Sequence, residues 1–129
     1  MSLKTKSFIS DQAKEFRKSF QVKDNTNPAS RTGQKTLIVE EFKEFLEAEQ
    51  QLIIDFKRNS EECLKELADL VYVCFQYAAN LGWDLDEALD RVHKSNMTKL
   101  GEDGQPIRRE DGKVLKGPNY QPPVLTDLV

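Results

Sequence analysis

The sequence predicts an all-α fold, an antiparallel bundle of about four helices, on two observations. Apolar residues recur at the 3.6-residue period of an α-helix over four stretches between residues 10 and 95. Beyond residue 96 this periodicity stops, and glycine, proline and charged residues replace it. We therefore expect a single domain, residues 1–129, made of a helical bundle at 10–95 and a basic hairpin and tail at 96–129.

The first two helices are predicted from their apolar residues. Residues 10–21 carry two phenylalanines behind Asp11, a candidate N-cap, and the run 25–34 has the composition of a loop. A second helix is expected at 36–58, where apolar residues form one stripe. The members of this stripe are Ile38, Phe42, Phe45, Leu52, Ile53 and Phe56.

The remaining elements are predicted from capping and turn residues. Ser60 is expected to start a third helix that ends at Leu81, with Gly82 in the C′ position, and Asp84 to open a short fourth one. The connection before Ser60 is short, which favours antiparallel packing of the second and third helices. The pair Asp111-Gly112 predicts a small β-hairpin, followed by an irregular tail that covers the bundle or a neighbouring subunit.

Composition indicates an ordinary soluble globular protein, with 38% hydrophobic and 32% charged residues. No apolar run has the length of a membrane span, and the N-terminus lacks the apolar core of a signal peptide. Cys63 and Cys74 lie about 16 Å apart along one predicted helix, which is too far for a disulfide. We therefore expect reduced thiols in a protein with a cytoplasmic location.

Charge is divided along the chain. Residues 36–90 hold fourteen acids against four bases, and residues 91–117 hold seven bases against four acids. The first segment is suited to a cation and the second to an anion, although two solvated faces are the simpler interpretation. Nucleic-acid binding is not expected, because the net charge is −3 and no aromatic platform is visible.

One carboxylate is unusual in its surroundings. Asp69 is the only charged residue from Leu67 to Leu81, in a helix that is apolar on nearly every side. Burying a lone carboxylate is unfavourable unless a cation meets it. Asp69 is therefore expected to face a metal ion or, as the structural alternative, a lysine or arginine.

Other carboxylates are expected to meet Asp69. Glu62 and Glu66 share its helical face, and the second helix supplies Glu40, Glu41, Glu44 and Glu47. Oxygen ligands alone favour Mg²⁺ or Mn²⁺ over Zn²⁺. For the second helix by itself, a solvated glutamate-rich face is the simpler alternative. A di-iron bundle is excluded, because the single histidine, His93, has no glutamate three residues before it.

The motif E-E-x-x-E, followed about two dozen residues later by E-x-x-D, resembles that of the all-α nucleoside triphosphate pyrophosphohydrolases. This superfamily comprises MazG-like proteins, phosphoribosyl-ATP pyrophosphohydrolases and dimeric helical dUTPases. The runs S-N-M-T-K-L and D-G-K-V-L-K-G resemble the C-terminal part of a phosphoribosyl-ATP-pyrophosphohydrolase-like branch. The similarity covers nearly the whole chain.

The resemblance implies Mg²⁺-dependent hydrolysis of a (deoxy)nucleoside triphosphate to the monophosphate and pyrophosphate, in nucleotide-pool house-cleaning, with Mn²⁺ able to substitute. It implies metal binding by Glu41, Glu44, Glu66 and Asp69, with Glu40 either a further ligand or the group that orients the attacking water. The catalytic residue expected to take the proton from that water is Glu40 or Glu44. The implied substrate contacts are Asn96, Lys99, Lys113, Lys116 and Tyr120. Glu47 is expected to be surface charge only.

Two alternatives stay open. One is phosphoribosyl-ATP pyrophosphohydrolase activity, which the tail disfavours because histidine-pathway enzymes usually lack it. The other is a non-catalytic helical dimerisation module, since an all-round apolar helix can serve as a subunit interface. The resemblance implies a homodimer or homotetramer, and neither a membrane nor a nucleic acid is an expected partner.

Overall fold

The computed structural model describes residues 8–129 of the chain. It contains four α-helices, α1 (Ile9–Ser19), α2 (Pro28–Gln51), α3 (Phe56–Leu81) and α4 (Leu85–Met97), and a short 3₁₀ helix at Thr126–Leu128. No β-strand occurs in the described part, so the predicted all-α class is confirmed. The chain forms two compact units, of which the first ends at Trp83 and the second begins at Asp84.

Helix α2 begins inside the run that was predicted to be a loop. The side chain of Asn27 accepts a hydrogen bond of 2.8 Å from the backbone N–H of Ser30, which caps the helix. Pro28 occupies the first turn, where its missing N–H costs no hydrogen bond. Asn-Pro was therefore a helix start, and reading the run by composition alone was wrong.

The joint between α2 and α3 also differs from the prediction. Helix α2 ends at Gln51, and Asp55 caps α3 by accepting a 3.0 Å hydrogen bond from the N–H of Arg58. Ser60 lies inside α3, where its hydroxyl donates to the carbonyl of Phe56. The connection, residues 52–55, leaves α2 and α3 as antiparallel neighbours, as predicted.

Three other helix ends test the capping predictions. Helix α1 follows Phe8, so Asp11 lies in its first turn and is not the N-cap. Gly82 closes α3 with φ 75°, a left-handed conformation in which a side chain would be strained. The Asp84 carboxylate caps α4 by accepting a 3.1 Å hydrogen bond from the Glu87 N–H. The last two predictions are confirmed.

The core of the first unit is small, and α3 lies at its centre, packed against α1 and α2. Its buried apolar residues are mostly small ones: Ala13, Ala48, Cys63, Phe75, Ala78 and Ala79. Both cysteines are free. Among residues 8–129, no helix combines the length and the apolar character that crossing a bilayer requires.

Much of the apolar stripe that was predicted for the second helix, at 36–58, is not covered within the chain, and its last members lie in the connection and at the start of α3. Phe42 is 48% exposed, Ile53 87% and Phe56 71%. On α3, Leu64 is 67% exposed, and Leu67 and Val71 are exposed as well. Apolar exposure on this scale over two helices is typical of a surface that contacts another protein.

The second unit consists of α4 and the segment that follows it. Arg91 donates to both carboxylate oxygens of Asp127, at 2.6 and 2.9 Å, and to the carbonyl of Val124. The hydroxyl of Ser95 donates to the carbonyl of Gln121 at 2.6 Å. These contacts fix the end of the chain, including the short 3₁₀ helix that carries Asp127, against α4.

The predicted β-hairpin is not supported. The segment contains only an isolated antiparallel bridge between Arg108 and Val114, around a turn in which the Gly112 N–H donates to the Arg109 carbonyl. The turn prediction at Gly112 was sound, since its φ is 88°. Short, charged flanking runs without a third strand or an apolar face to cover do not extend into paired strands.

Candidate metal centre

Three carboxylates meet where α2 and α3 pack against each other. Glu41 comes from α2, whereas Glu66 and Asp69 come from α3, one helical turn apart. One oxygen from each of the three side chains lies within 4.8 Å of the others. We call Glu41, Glu66 and Asp69 the acidic cluster. Sequence reasoning predicted this convergence from the antiparallel packing of the two motifs.

Two oxygens of the acidic cluster are buried without a hydrogen-bond partner. They are Oε2 of Glu41 and Oε2 of Glu66, and Glu66 as a residue is only 7% exposed. A buried polar atom without a partner is unfavourable by about 1–3 kcal/mol, and by more when it carries charge. The folded chain therefore places acceptor atoms where a cation would satisfy them.

The electrostatics of Glu41 reflect this crowding. Burial raises the pKa of Glu41 above its usual value, and the neighbouring carboxylates of Glu44, Asp69 and Glu66 raise it further. Glu41 therefore resists ionisation unless positive charge compensates it.

A groove of about 340 Å³ adjoins the cluster at Glu66. Its lining is mostly acidic and comes from both helices: Glu44, Glu47, Ala48, Gln51, Glu62 and Glu66. A hydrogen bond to Glu66 raises the pKa of Glu62. Glu62 shares a helical face with Glu66 and Asp69 by sequence spacing, but it was not among the predicted site residues. Glu47, expected to be surface charge only, also lines this groove.

The two predicted catalytic glutamates lie in different surroundings. The carboxylate of Glu44 lies within hydrogen-bonding reach of Glu41 and lines the groove, although it is outside the acidic cluster. Glu40 is exposed and belongs neither to the cluster nor to the groove lining. The structure thus brings Glu44 to the candidate centre and leaves Glu40 on the outer side of α2.

Asp69 is less buried than its apolar sequence context predicts, with 40% of its side chain exposed. Its Oδ2 is 3.1 Å from the ammonium of Lys65, one turn earlier on α3, and the same ammonium is 3.4 Å from Oε1 of Glu66. These contacts raise the pKa of Lys65. The cation expected opposite Asp69 is, in this structure, a lysine of the same helix.

The predicted substrate contacts all belong to the second unit. The Lys116 ammonium lies 4.8 Å from the centre of the Tyr120 ring, a cation–π contact. The Gly117 N–H donates to the Lys99 carbonyl at 2.9 Å, and the Lys99 N–H donates to the Asn96 carbonyl at 3.1 Å. Lys113 follows the turn at Gly112 and is exposed. Four of the five therefore belong to two chain segments that contact each other directly.

The donor set fits a divalent cation of the Mg²⁺ or Mn²⁺ type. The acidic cluster offers carboxylate oxygens alone, two of them buried and unpartnered. Such hard oxygen ligands are the ones that these ions prefer, and the absence of histidine and cysteine in the cluster disfavours zinc.

Comparison with known proteins assigns the chain to a family. A search of curated proteins finds no match to this sequence. The family model for phosphoribosyl-ATP pyrophosphohydrolase matches residues 6–96, a stretch that contains the whole acidic cluster. The match covers well over half of the chain and agrees with the motif on α2 and α3. The chain therefore belongs to the phosphoribosyl-ATP pyrophosphohydrolase family, hydrolases of acid anhydrides within the all-α nucleoside triphosphate pyrophosphohydrolase superfamily.

Proposed function

We propose that this protein hydrolyses a (deoxy)nucleoside triphosphate to the monophosphate and pyrophosphate with Mg²⁺, and that it removes unwanted nucleotides from the cellular pool. The observation that carries the proposal is the pair of buried, unpartnered oxygens on Glu41 and Glu66 beside Asp69. Family membership supplies the reaction class, and the cluster supplies a place for the cation that this class generally needs.

In the proposed mechanism, Glu41, Glu66 and Asp69 would hold the cation, and Glu44 would be a further ligand from the groove side. When bound, Mg²⁺ would supply charge compensation for the polyphosphate and Lewis acidity toward the water nucleophile. Glu44 also adjoins Glu41, so it is the better placed of the two predicted catalytic glutamates to take a proton from water. We also propose that Glu40, which precedes Glu41 in the sequence, helps to orient that water indirectly, by acting on Glu41.

The proposed substrate contacts are Asn96, Lys99, Lys113, Lys116 and Tyr120. Lysine ammonium groups neutralise phosphate charge, and an aromatic ring offers a face to a base or a sugar. The mutual contacts of the two segments that carry four of these residues support a shared role.

We also propose that the protein is a homodimer or homotetramer. The exposed apolar residues of α2 and α3, among them Phe42 and Leu64, and Ile53 in the connection between them, support this proposal. An interface between copies would remove this surface from water, which is favourable by about 25 cal/mol for each Å² of apolar area. Size-exclusion chromatography with light scattering measures the number of copies directly.

The test of the proposed function is a panel of canonical and damaged nucleoside triphosphates, with phosphoribosyl-ATP included, assayed with Mg²⁺. Phosphorus NMR of the products distinguishes release of pyrophosphate from stepwise release of phosphate. Release of pyrophosphate from a triphosphate, abolished by a chelator, is the expected result. A protein that hydrolyses none of these compounds would contradict the proposal.

Two other functions compete with this one. Phosphoribosyl-ATP hydrolysis is favoured by the matching family model, which ends at residue 96 and leaves the tail outside the match. A non-catalytic dimerisation module is favoured by the exposed apolar residues of α2 and α3. A calorimetric titration with Mg²⁺ or Mn²⁺ discriminates the module from an enzyme, because only the enzyme needs the cation.

A further inference from the structure

Lys65 stands at the edge of the acidic cluster and pairs with two of its three members. Its ammonium is 3.1 Å from Oδ2 of Asp69 and 3.4 Å from Oε1 of Glu66. Among residues 8–129, it is the basic side chain that forms ion pairs with this cluster. Neither the family assignment nor the motif gives this lysine a role.

The ion pairs of Lys65 reach only the outer part of the cluster. The oxygen of Glu66 that contacts Lys65 is Oε1, whereas its Oε2 is buried and has no partner. Oε2 of Glu41 is likewise unpartnered. One ammonium therefore contacts the outer oxygens of two carboxylates, Glu66 and Asp69, and leaves the buried Oε2 atoms of Glu41 and Glu66 free for a second cation.

The ammonium is able to leave. The side chain of Lys65 is 61% exposed and that of Asp69 is 40% exposed, so water can solvate both groups once they separate. Ion pairs between such exposed groups are weak, so a divalent ion is able to replace the ammonium at Asp69. A divalent ion that takes an oxygen of Asp69 meets the positive charge of Lys65 at close range.

We propose that Lys65 is an internal competitor of the divalent cation: it occupies Asp69 in the metal-free protein and lowers the affinity of the acidic cluster for metal. The proposal rests on the proposed function, because it assumes that the acidic cluster binds a divalent ion. Lys65 affects metal binding indirectly, because its ammonium holds the carboxylate of Asp69. The consequence is a centre in which Asp69 keeps a positive partner without metal, and which binds its ion more weakly than the three carboxylates alone would.

The test is a calorimetric titration of the full-length protein with MnCl₂ at low ionic strength. Lys65→Gln is expected to bind Mn²⁺ about tenfold more tightly than the wild type, the scale set by a unit charge near a divalent ion in a largely aqueous dielectric. Lys65→Arg keeps the charge and is expected to bind like the wild type. The gain in Lys65→Gln is expected to shrink in 0.5 M salt, where screening is strong.

Lys57→Gln is the matched control, because it removes the same charge from α3 at a lysine without an ion pair to the cluster. It is expected to change the Mn²⁺ affinity less than twofold. A second readout is thermal unfolding in a chelator, where Lys65→Gln is expected to melt below the wild type and to gain more from added Mn²⁺.

The outcomes separate the two proposals. If neither the wild type nor any variant binds Mn²⁺, the proposed metal centre is overturned. If the wild type binds and Lys65→Gln binds with the same affinity, the competition by Lys65 is overturned while the centre stands. Weaker binding by Lys65→Gln also overturns it and indicates instead that the lysine orients Asp69 toward the ion.

Discussion

Arg17 on α1 and Asn80 on α3 are both buried, and they are joined by a hydrogen bond of 2.9 Å from Nη2 to Oδ1. The same guanidinium donates to Asp24 at 2.7 Å and to Gln76 at 3.3 Å. Asn80 in turn accepts from the Asn25 N–H and donates to the Asn25 carbonyl. This buried polar network fixes the connection between α1 and α2 against the end of α3.

Asn80→Ala is expected to destabilise the protein by about 2–4 kcal/mol, because it removes one acceptor of the buried Arg17 and both hydrogen bonds to the Asn25 backbone, and opens a cavity. The measurement is urea unfolding followed by circular dichroism. Gln50→Ala, at an exposed position of α2, serves as the control and is expected to change stability by less than about 0.5 kcal/mol. Equal stabilities of the two variants would contradict a structural role for the network.

Asp69→Asn is expected to leave a folded helical protein whose hydrolysis of nucleoside triphosphates is reduced by at least about 100-fold. The amide is nearly the same size but lacks the charge that holds a divalent ion. The measurement is pyrophosphate release with Mg²⁺, with circular dichroism as the check on folding.

The matched control for Asp69→Asn is Glu49→Gln, which removes a charge from an exposed position of α2 outside the cluster and the groove. It is expected to keep its activity within twofold. Wild-type activity in Asp69→Asn would remove that residue from the mechanism. Glu47→Ala is expected to lie between the two, with a loss of a few-fold, since Glu47 lines the groove without belonging to the cluster.

Glu41→Gln is expected to stabilise the metal-free protein at neutral pH. Burial and neighbouring carboxylates raise the pKa of Glu41, so the native state binds that proton more tightly than the unfolded chain. The resulting penalty is absent below the usual glutamate pKa of 4.5 and grows as the pH rises through the raised pKa. The amide avoids this penalty at every pH.

The measurement for Glu41→Gln is thermal unfolding in a chelator at pH 7.5 and pH 4.5. The variant is expected to melt about 2–4 °C above the wild type at pH 7.5, and this difference should shrink at pH 4.5. With Mg²⁺ present the order should reverse, because the variant has lost a ligand. A variant less stable than the wild type in the chelator at pH 7.5 would show that Glu41 is not under electrostatic strain.

Leu64→Glu is expected to reduce the number of copies in the assembly or to weaken it at least tenfold, because a charge would enter an apolar surface that is 67% exposed in the single chain. Light scattering over a dilution series measures this. Leu89→Glu on α4, also exposed, is the control and is expected to leave the assembly intact. An unchanged assembly in Leu64→Glu would place the interface elsewhere.

Local signals predicted some elements of this fold well. Gly82 and Asp84 fix the end of α3 and the start of α4 through their own backbone and side-chain geometry, and both were predicted from single residues. Asn27 and Asp55 are equally local N-cap signals for α2 and α3. The prediction instead treated the segment around Asn27 as a loop and placed the start of α3 at Ser60. Those two helix starts were readable from the sequence and were misread.

The acidic cluster was only partly predictable. Helical spacing and antiparallel packing place Glu41 opposite Glu66 and Asp69, and the structure confirms that meeting. The ion pair of Lys65 with Asp69 and the contact of Glu62 with Glu66 depend on side-chain conformations that spacing does not fix. The burial of Asp69 was predicted least well. A helix that is apolar on every side need not be buried within its own chain, because part of its apolar surface can be covered by another protein.

Gly117 lies where the segment that carries Lys116 and Tyr120 contacts the segment that carries Lys99, and only a hydrogen atom fits there as a side chain. A Cβ at Gly117 would lie 2.5 Å from the Leu100 carbonyl oxygen and 2.7 Å from that of Lys99, both backbone atoms that have little room to yield. Any larger residue at this position would clash with the backbone of Lys99 and Leu100 and push the 116–120 segment away from it. Because Gly117 has no Cβ, the two segments can approach closely, and this approach sets the distance of Lys99 from Lys116 and Tyr120.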